Sequence, residues 1–192
     1  MTKPVVKVYI DGANMFYAQR KMGWLVDWKK IRIYLNKIYQ IQEIRFYHSY
    51  RREKQEEENY FKFLRKNNFH LFTKPLKKII DESGKVIFKA NFDVEITRDI
   101  LFDLLIEKDF KDGLVFFSGD SDFATLFWDL KKKFNKKIFV YSSHTFLSWE
   151  LRLASTEHYF LEDLKKVVFL RDFDLTEKGK GVINKALSRR SS

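Results

Sequence analysis

Short apolar runs rich in β-branched and aromatic residues alternate along this chain with amphipathic helical runs. That alternation predicts an α/β fold, a three-layer α/β/α sandwich with helices on both faces of a central, mostly parallel sheet. Two stretches carry the prediction. Val5 to Ile10 (VVKVYI) ends in Asp11-Gly12-Ala13-Asn14 and passes into a helical stretch from Met15 to Lys21. Leu114 to Phe117 (LVFF) ends in Ser118-Gly119-Asp120-Ser121-Asp122, followed by Phe123, Leu126, Phe127 and Leu130 at helical spacing. Each reads as strand, tight turn and helix start. With 192 residues the chain has room for one sizeable core, and nothing in it demands a second domain.

The other elements fall into the same alternation. Gly23 stops the first helix, Asp27 is placed to cap the next, and Trp28, Ile31, Leu35 and Ile38 form its core-facing stripe. Glu43 to Tyr50 is a strand, and Arg51, Arg52 and Lys54 follow its carboxyl end. Glu56-Glu57-Glu58 opens a helix with apolar Tyr60, Phe61 and Leu64, and Phe69 to Thr73 is a short strand. The stretch near residues 75–89 reads as a β-hairpin excursion around the turn Asp81-Glu82-Ser83-Gly84. Asn91-Phe92-Asp93 opens a helix whose apolar set is Val94, Ile96, Ile100, Leu101, Leu104 and Leu105. After the central stretch come a helix ending in Lys131, Lys132 and Lys133, a strand from Lys137 to Tyr141, a helix from Phe146 to Ala154 and a last short strand from His158 to Leu161. Residues 1–172 therefore form one domain, and residues 173–192 a basic tail carrying Lys178, Lys180, Lys185, Arg189 and Arg190 against Asp174 and Glu177.

Composition narrows the function. Lys plus Arg exceed Asp plus Glu by 37 to 26, a net charge of +11, which fits a polyanionic partner such as nucleic acid or an acidic membrane surface. The absence of cysteine excludes disulfides, a thiol nucleophile and thiolate metal sites, and agrees with a reducing cytoplasm. The amino-terminal stretch leads straight into a short strand, so neither a signal peptide nor a spanning segment is expected. With 20 Phe in the chain, Trp24, Trp28 and Trp149 are read as core residues rather than base-stacking platforms.

In a parallel sheet the turn after a strand lies at its carboxyl end, where ligands bind. Asp11, Asp93, Asp120 and Asp122 come from three separate places in the sequence and converge on that edge. One aspartate of the Asp120 and Asp122 pair is accounted for as a helix cap, but one cap needs one aspartate. Clustered carboxylates repel unless a cation lies between them, and hard ions such as Mg²⁺ or Mn²⁺ take oxygen ligands. The chemistry suited to such a site is metal-assisted phosphoryl transfer. Asp99 stands six residues from Asp93, about 120° away around a helix, so it serves either behind the site or as partner to a nearby Arg or Lys. His48, His70, His144 and His158 lack metal-ligand spacing, and Ser118 and Ser121 lack a His partner.

Tyr9-Ile10-Asp11-Gly12-Ala13-Asn14, Lys89 with Phe92-Asp93-Val94 and Asp99, and Phe117 to Phe123 occur in an order that resembles the motifs of the NYN domain, the LabA-like branch of the PIN-domain superfamily. The likeness runs from about Val5 to Leu164. It implies a PIN-like sandwich with a Mg²⁺- or Mn²⁺-dependent ribonuclease site. By that likeness Asp11, Asp93 and Asp120 are the metal-binding acids and Asp122 an additional or water-mediated ligand, while Asn14 and Ser118 support them. Arg51, Arg52 and Lys54 are expected to hold flanking RNA phosphates, single-stranded or structured. The partner is then RNA and not a membrane, with a homodimer left open. The alternative is an RNA-binding or scaffold protein of the same fold with little or no turnover. A haloacid-dehalogenase phosphatase would want Asp-x-Asp after the first strand, where Asn14 stands instead.

Overall fold

The computed structural model describes residues 2–50, 55–80, 82, 84, 86–105 and 111–173. Along them run β1 (Val5–Asp11), α1 (Gly12–Met22), β2 (Trp24–Val26), α2 (Trp28–Ile38), β3 (Gln40–Tyr50), α3 (Gln55–Lys66) and β4 (His70–Pro75). They continue as β5 (Lys77–Ile80), β6 (Val86–Lys89), α4 (Asp93–Leu105), β7 (Gly113–Phe117), a 3₁₀ turn (Ser121–Phe123) and α5 (Ala124–Phe134). The last elements are β8 (Lys137–Ser142), α6 (Trp149–Ala154), β9 (Glu157–Phe160), α7 (Lys165–Val168) and β10 (Phe169–Asp172).

Six strands form the central sheet in the order β4-β3-β1-β7-β8-β9, and every neighbouring pair is parallel. Alternation sorts their side chains. Val6, Val8, Ile10, Val115 and Phe117 pack with Ala18, Trp28, Ile31, Leu35 and Leu64 from α1, α2 and α3. Leu114, Phe116, Ile138 and Val140 pack on the opposite face with Ile96 and Ile100 of α4, Phe127 and Leu130 of α5 and Leu151 of α6. Each fully buried large apolar side chain contributes about 1.5–3 kcal/mol, so both covered faces are needed to hold the strands together. From β1 the chain builds outward through β3 and β4 on one side, and from β7 through β8 and β9 on the other. The strand order reverses between β1 and β7, and an open parallel sheet has its crevice there.

The helix signals read from sequence are met. Asp11 caps α1 through the backbone N–H groups of Ala13 and Asn14, Gly23 closes it at φ +77°, and Asp27 caps α2 through Lys30 N–H. The hairpin near residues 75–89 is present as β5 and β6, antiparallel with Ile80 opposite Val86, and it pairs with neither edge of the main sheet. Its turn residues Asp81 and Ser83 lie outside the described residues, as do Arg51, Arg52, Lys54 and the tail from residue 174.

Three features depart from expectation. β2 and β10 pair antiparallel into a small ribbon. The helix expected from Phe146 begins at Trp149, because Phe146 and Leu147 donate back to Ser143 O in a turn and Ser148 supplies the cap, its Oγ accepting from Leu151 N–H at 3.2 Å. The apolar set on α4 is not all core. Val94 is 77% and Leu105 59% exposed, while Asp99 and Asp103 share the buried face with Ile96 and Ile100.

Burying two carboxylates requires compensation. Lys7 Nζ and Arg45 Nη2 donate to Asp103 Oδ1 at 2.9 and 2.8 Å, and the Tyr9 hydroxyl donates to Asp103 Oδ2. Asp99 accepts from the Tyr47 hydroxyl at 2.8 Å and from Arg98 Nη2 at 2.6 Å. These contacts tie α4 to β1 and β3. Asp103→Leu, which takes one carboxylate partner from the buried Lys7 and Arg45 and leaves them Glu43 at 3.7 and 2.8 Å, is expected to cost up to about 3–5 kcal/mol in urea unfolding. Adding Lys7→Met should recover part of that loss. A single variant as stable as wild type would refute the account.

Candidate metal centre at the carboxyl edge of the sheet

Two turns frame the crevice, one after β1 and one after β7. Asp11 is the last residue of β1, and Ser118-Gly119-Asp120 leaves β7 beside it. A Cβ on Gly12 would stand 2.4 Å from Tyr47 O, and one on Gly119 would stand 1.9 Å from Phe146 O. Both turns therefore need glycine for close backbone approach. Side chains stitch the turns together. Ser118 Oγ donates to Asp11 Oδ2 at 3.2 Å and accepts from Asp120 N–H at 3.2 Å, while Asn14 Oδ1 accepts from Gly119 N–H at 3.0 Å.

Asp93, the first residue of α4, arrives from the third direction. Asp93, Asp120 and Asp122 each offer a carboxylate oxygen, and the three oxygens lie within 4.8 Å of one another. That compares with the roughly 3–4.2 Å between oxygens around one Mg²⁺ at about 2.1 Å. Asp120 does act as a cap, accepting from Asp122 N–H at 3.1 Å through Oδ1. The cap reading thus holds for Asp120 and also for Asp11, yet it accounts for neither Asp93 nor Asp122. Asp11 stands outside the group of three, fixed by Ala13 N–H, Asn14 N–H and Ser118 Oγ.

The electrostatics register the crowding. Burial raises the Asp93 carboxyl above its ordinary range, and the charges of Asp120 and Asp122 raise it further, partly offset by Lys74. Asp11, 5% exposed, is pushed up to about 6 by burial and by the charge of Asp93, against the hydrogen bonds from Asn14, Ser118 and Ala13. An oxygen-only donor set strained by its own charge suits a hard divalent cation.

One residue at this edge escaped the sequence reading. Lys74, near the end of β4, places Nζ 2.6 Å from Glu95 Oε1 and 4.4 Å from the centroid of the Phe92 ring, which sets a cation beside the carboxylates. Its signal is position alone, a lysine at the carboxyl end of a strand. Asp99 turns away to Tyr47, Arg45 and Arg98, the partner role left open for it. Lys89 closes β6, opposite Lys77, and its side chain lies outside the described part. None of the described histidines joins the carboxylates. His48 is half-buried against Tyr60 and Phe61, and desolvation there holds its pKa down at about 4.

A parallel α/β/α sandwich with aspartates converging where its strand order reverses places the molecule in the PIN-like class. The chain matches the NYN domain over residues 5–162 and belongs to that family, part of the PIN-like nuclease superfamily. It is 31% identical over 164 residues to the Low amplitude and bright protein LabA of Synechococcus elongatus, covering 84% of this chain and 86% of that protein. The crystal structure of VPA0982, a protein of unknown function from Vibrio parahaemolyticus, superposes with a TM-score of 0.72 at 21% identity, covering 88% of this chain and 97% of the other. That second likeness speaks for the fold.

An acid whose pKa rises on folding opposes folding once it ionises. For Asp11 the cost is absent below its ordinary value of 3.8 and complete above about 6. Asp11→Asn should therefore stabilise the metal-free protein at pH 7 by on the order of 3 kcal/mol, with no gain at about pH 4. His48 acts with the opposite sign between 6.5 and about 4, its contribution being lost as pH falls. The quantity to measure is thus the difference between variant and wild type in urea at each pH. A difference that does not grow with pH would contradict the assignment.

Proposed function

We propose that this protein is a Mg²⁺- or Mn²⁺-dependent endoribonuclease that hydrolyses RNA phosphodiester bonds at the aspartate cluster. The observation that carries the reading is the gathering of the Asp93, Asp120 and Asp122 oxygens within 4.8 Å at the crevice between β1 and β7. These three would hold the ion, with Asp11, which feels the charge of Asp93, as a fourth carboxylate at the same edge. A bound divalent ion would polarise the scissile phosphate and lower the pKa of the attacking water. Ser118 and Asn14 keep the two turns in register so that the carboxylates do not splay under their own repulsion. Lys74 is placed to attract the phosphate towards an otherwise anionic edge.

RNA is favoured over a small phosphate ester by the net charge of +11 and by exposed Lys77 and Lys78 on the hairpin that leaves the same sheet edge. Arg51, Arg52 and Lys54, outside the described residues, are assigned to flanking phosphates, and the basic tail contributes to the net positive charge. No helix among the described residues is long and apolar enough to cross a membrane. The cysteine-free chain suits the cytoplasm. No observation on this chain supports a homodimer.

Two measurements test the reading. Millimolar Mn²⁺ should raise the melting temperature of the wild type in a concentration-dependent way, and much less that of Asp93→Asn. Asp93→Asn and Asp120→Asn should each lower Mn²⁺-dependent cleavage of a labelled single-stranded RNA by at least about 10²-fold, with RNA binding retained. Asn caps a helix about as well as Asp, so a capping role for Asp120 would leave cleavage unchanged. A wild type that binds many RNAs and cleaves none would return the protein to the scaffold reading.

A further inference from the structure

Of the tryptophans, Trp24 and Trp28 are buried at 2% and 3% exposure, as expected of core residues, but Trp149 is 65% exposed. Trp128, only partly buried, lies under the ammonium groups of Lys131 and Lys132. Exposing an indole forfeits a large apolar gain, so an uncovered one next to a candidate site calls for an occupant.

Its position is fixed by the site itself. Ser148 N–H donates to Gly119 O at 2.9 Å, Phe146 O occupies the space that a Gly119 side chain would need, and α6 packs against the turn Ser121–Phe123. Gly119 adjoins Asp120, so standard backbone lengths keep the Trp149 and Asp120 Cα atoms within about 14 Å of each other. On the same side of α6 the Arg152 guanidinium carbon lies 5.9 Å from the centroid of the Trp149 ring, and Leu153 is 50% exposed. A flat π surface with a cation beside it offers stacking to a base and charge to a phosphate.

We propose that Trp149 is a stacking platform for an unpaired base of the RNA strand entering the Asp93, Asp120 and Asp122 site, with Arg152 holding the neighbouring phosphate. The proposal rests on RNA being the ligand of this edge and adds the substrate class. A base inside a duplex has both faces covered by its neighbours, so the platform selects single strands, loops or frayed ends. Charge separates this occupant from a protein partner, since a chain of +11 with Arg152 at the ring attracts a polyanion.

The test is binding of the full chain in EDTA at low salt, where no turnover occurs, to a short oligoadenylate and to an RNA duplex of equal length. Anisotropy and intrinsic tryptophan fluorescence are the two readouts. The single strand should quench part of the fluorescence, and Trp149→Phe should remove that quench while keeping most of the affinity. Trp149→Ala should weaken single-strand binding by about 5- to 100-fold. It should leave the salt slope and the melting temperature unchanged, whereas Arg152→Ala should reduce the slope by about one. Equal affinity of wild type and Trp149→Ala, or equal quenching by the duplex, would overturn the proposal. So would self-association that is lost in Trp149→Ala, because the patch would then be a contact between copies. The binding result stands whether or not the protein cleaves RNA. Cleavage by wild type with an affinity indifferent to Trp149 would sink this inference alone.

Discussion

Because β1 pairs in parallel with both β3 and β7, its residues must satisfy two hydrogen-bond ladders and two packed faces at once. Val6, Val8 and Ile10 fill one face and Tyr9 the other, which leaves the carboxyl end of the strand as the place where a polar residue reaches the surface crevice. Asp11 stands there. The β1–β7 seam also joins the two halves of the sheet, so it brings the turn of one half against the turn of the other. Ser118 and Asn14 turn that proximity into a fixed spacing.

Helix α4 carries two opposite solutions to the same electrostatic problem. Towards its carboxyl end, Asp103 meets Lys7, Arg45 and Tyr9, and Asp99 meets Arg98, Arg45 and Tyr47, so each buried charge is matched. At its first residue, Asp93 receives the Asn91 amide at 2.7 Å and the charge of Lys74, but faces Asp120 and Asp122. Matched carboxylates lock the helix against the sheet. The unmatched one stands at the open edge, where a ligand could supply the missing positive charge.

What could be read from the sequence was local, and what could not was paired over distance. Asp11-Gly12-Ala13-Asn14 and Ser118-Gly119-Asp120-Ser121-Asp122 announce their turns within a few residues, because glycine and aspartate impose the geometry themselves. Lys7, by contrast, reads as a flaw in an apolar strand until Asp103, 96 positions away, is seen to receive it. The β2–β10 ribbon joins runs too short to carry periodicity. Composition alone puts Trp149 in the core, yet helical phase argues otherwise. It lies two residues, about 200°, from the inward Leu151, and Ser148 at the cap position marks where that phase begins.

The Asp11–Ser118 hydrogen bond spans 107 positions, and this has a consequence for biosynthesis. In a chain emerging from the ribosome β1, β3 and β4 precede β7, which must arrive before the central seam can close and the set of carboxylates is complete. At about 5–20 residues per second, that interval lasts on the order of 5–20 seconds. Through most of it Asp11 is present alone, and Asp93 joins it only towards the end, still without Asp120 and Asp122. The order of the elements along the chain thus withholds a complete cation-binding cluster until β7 and the turn after it have been made.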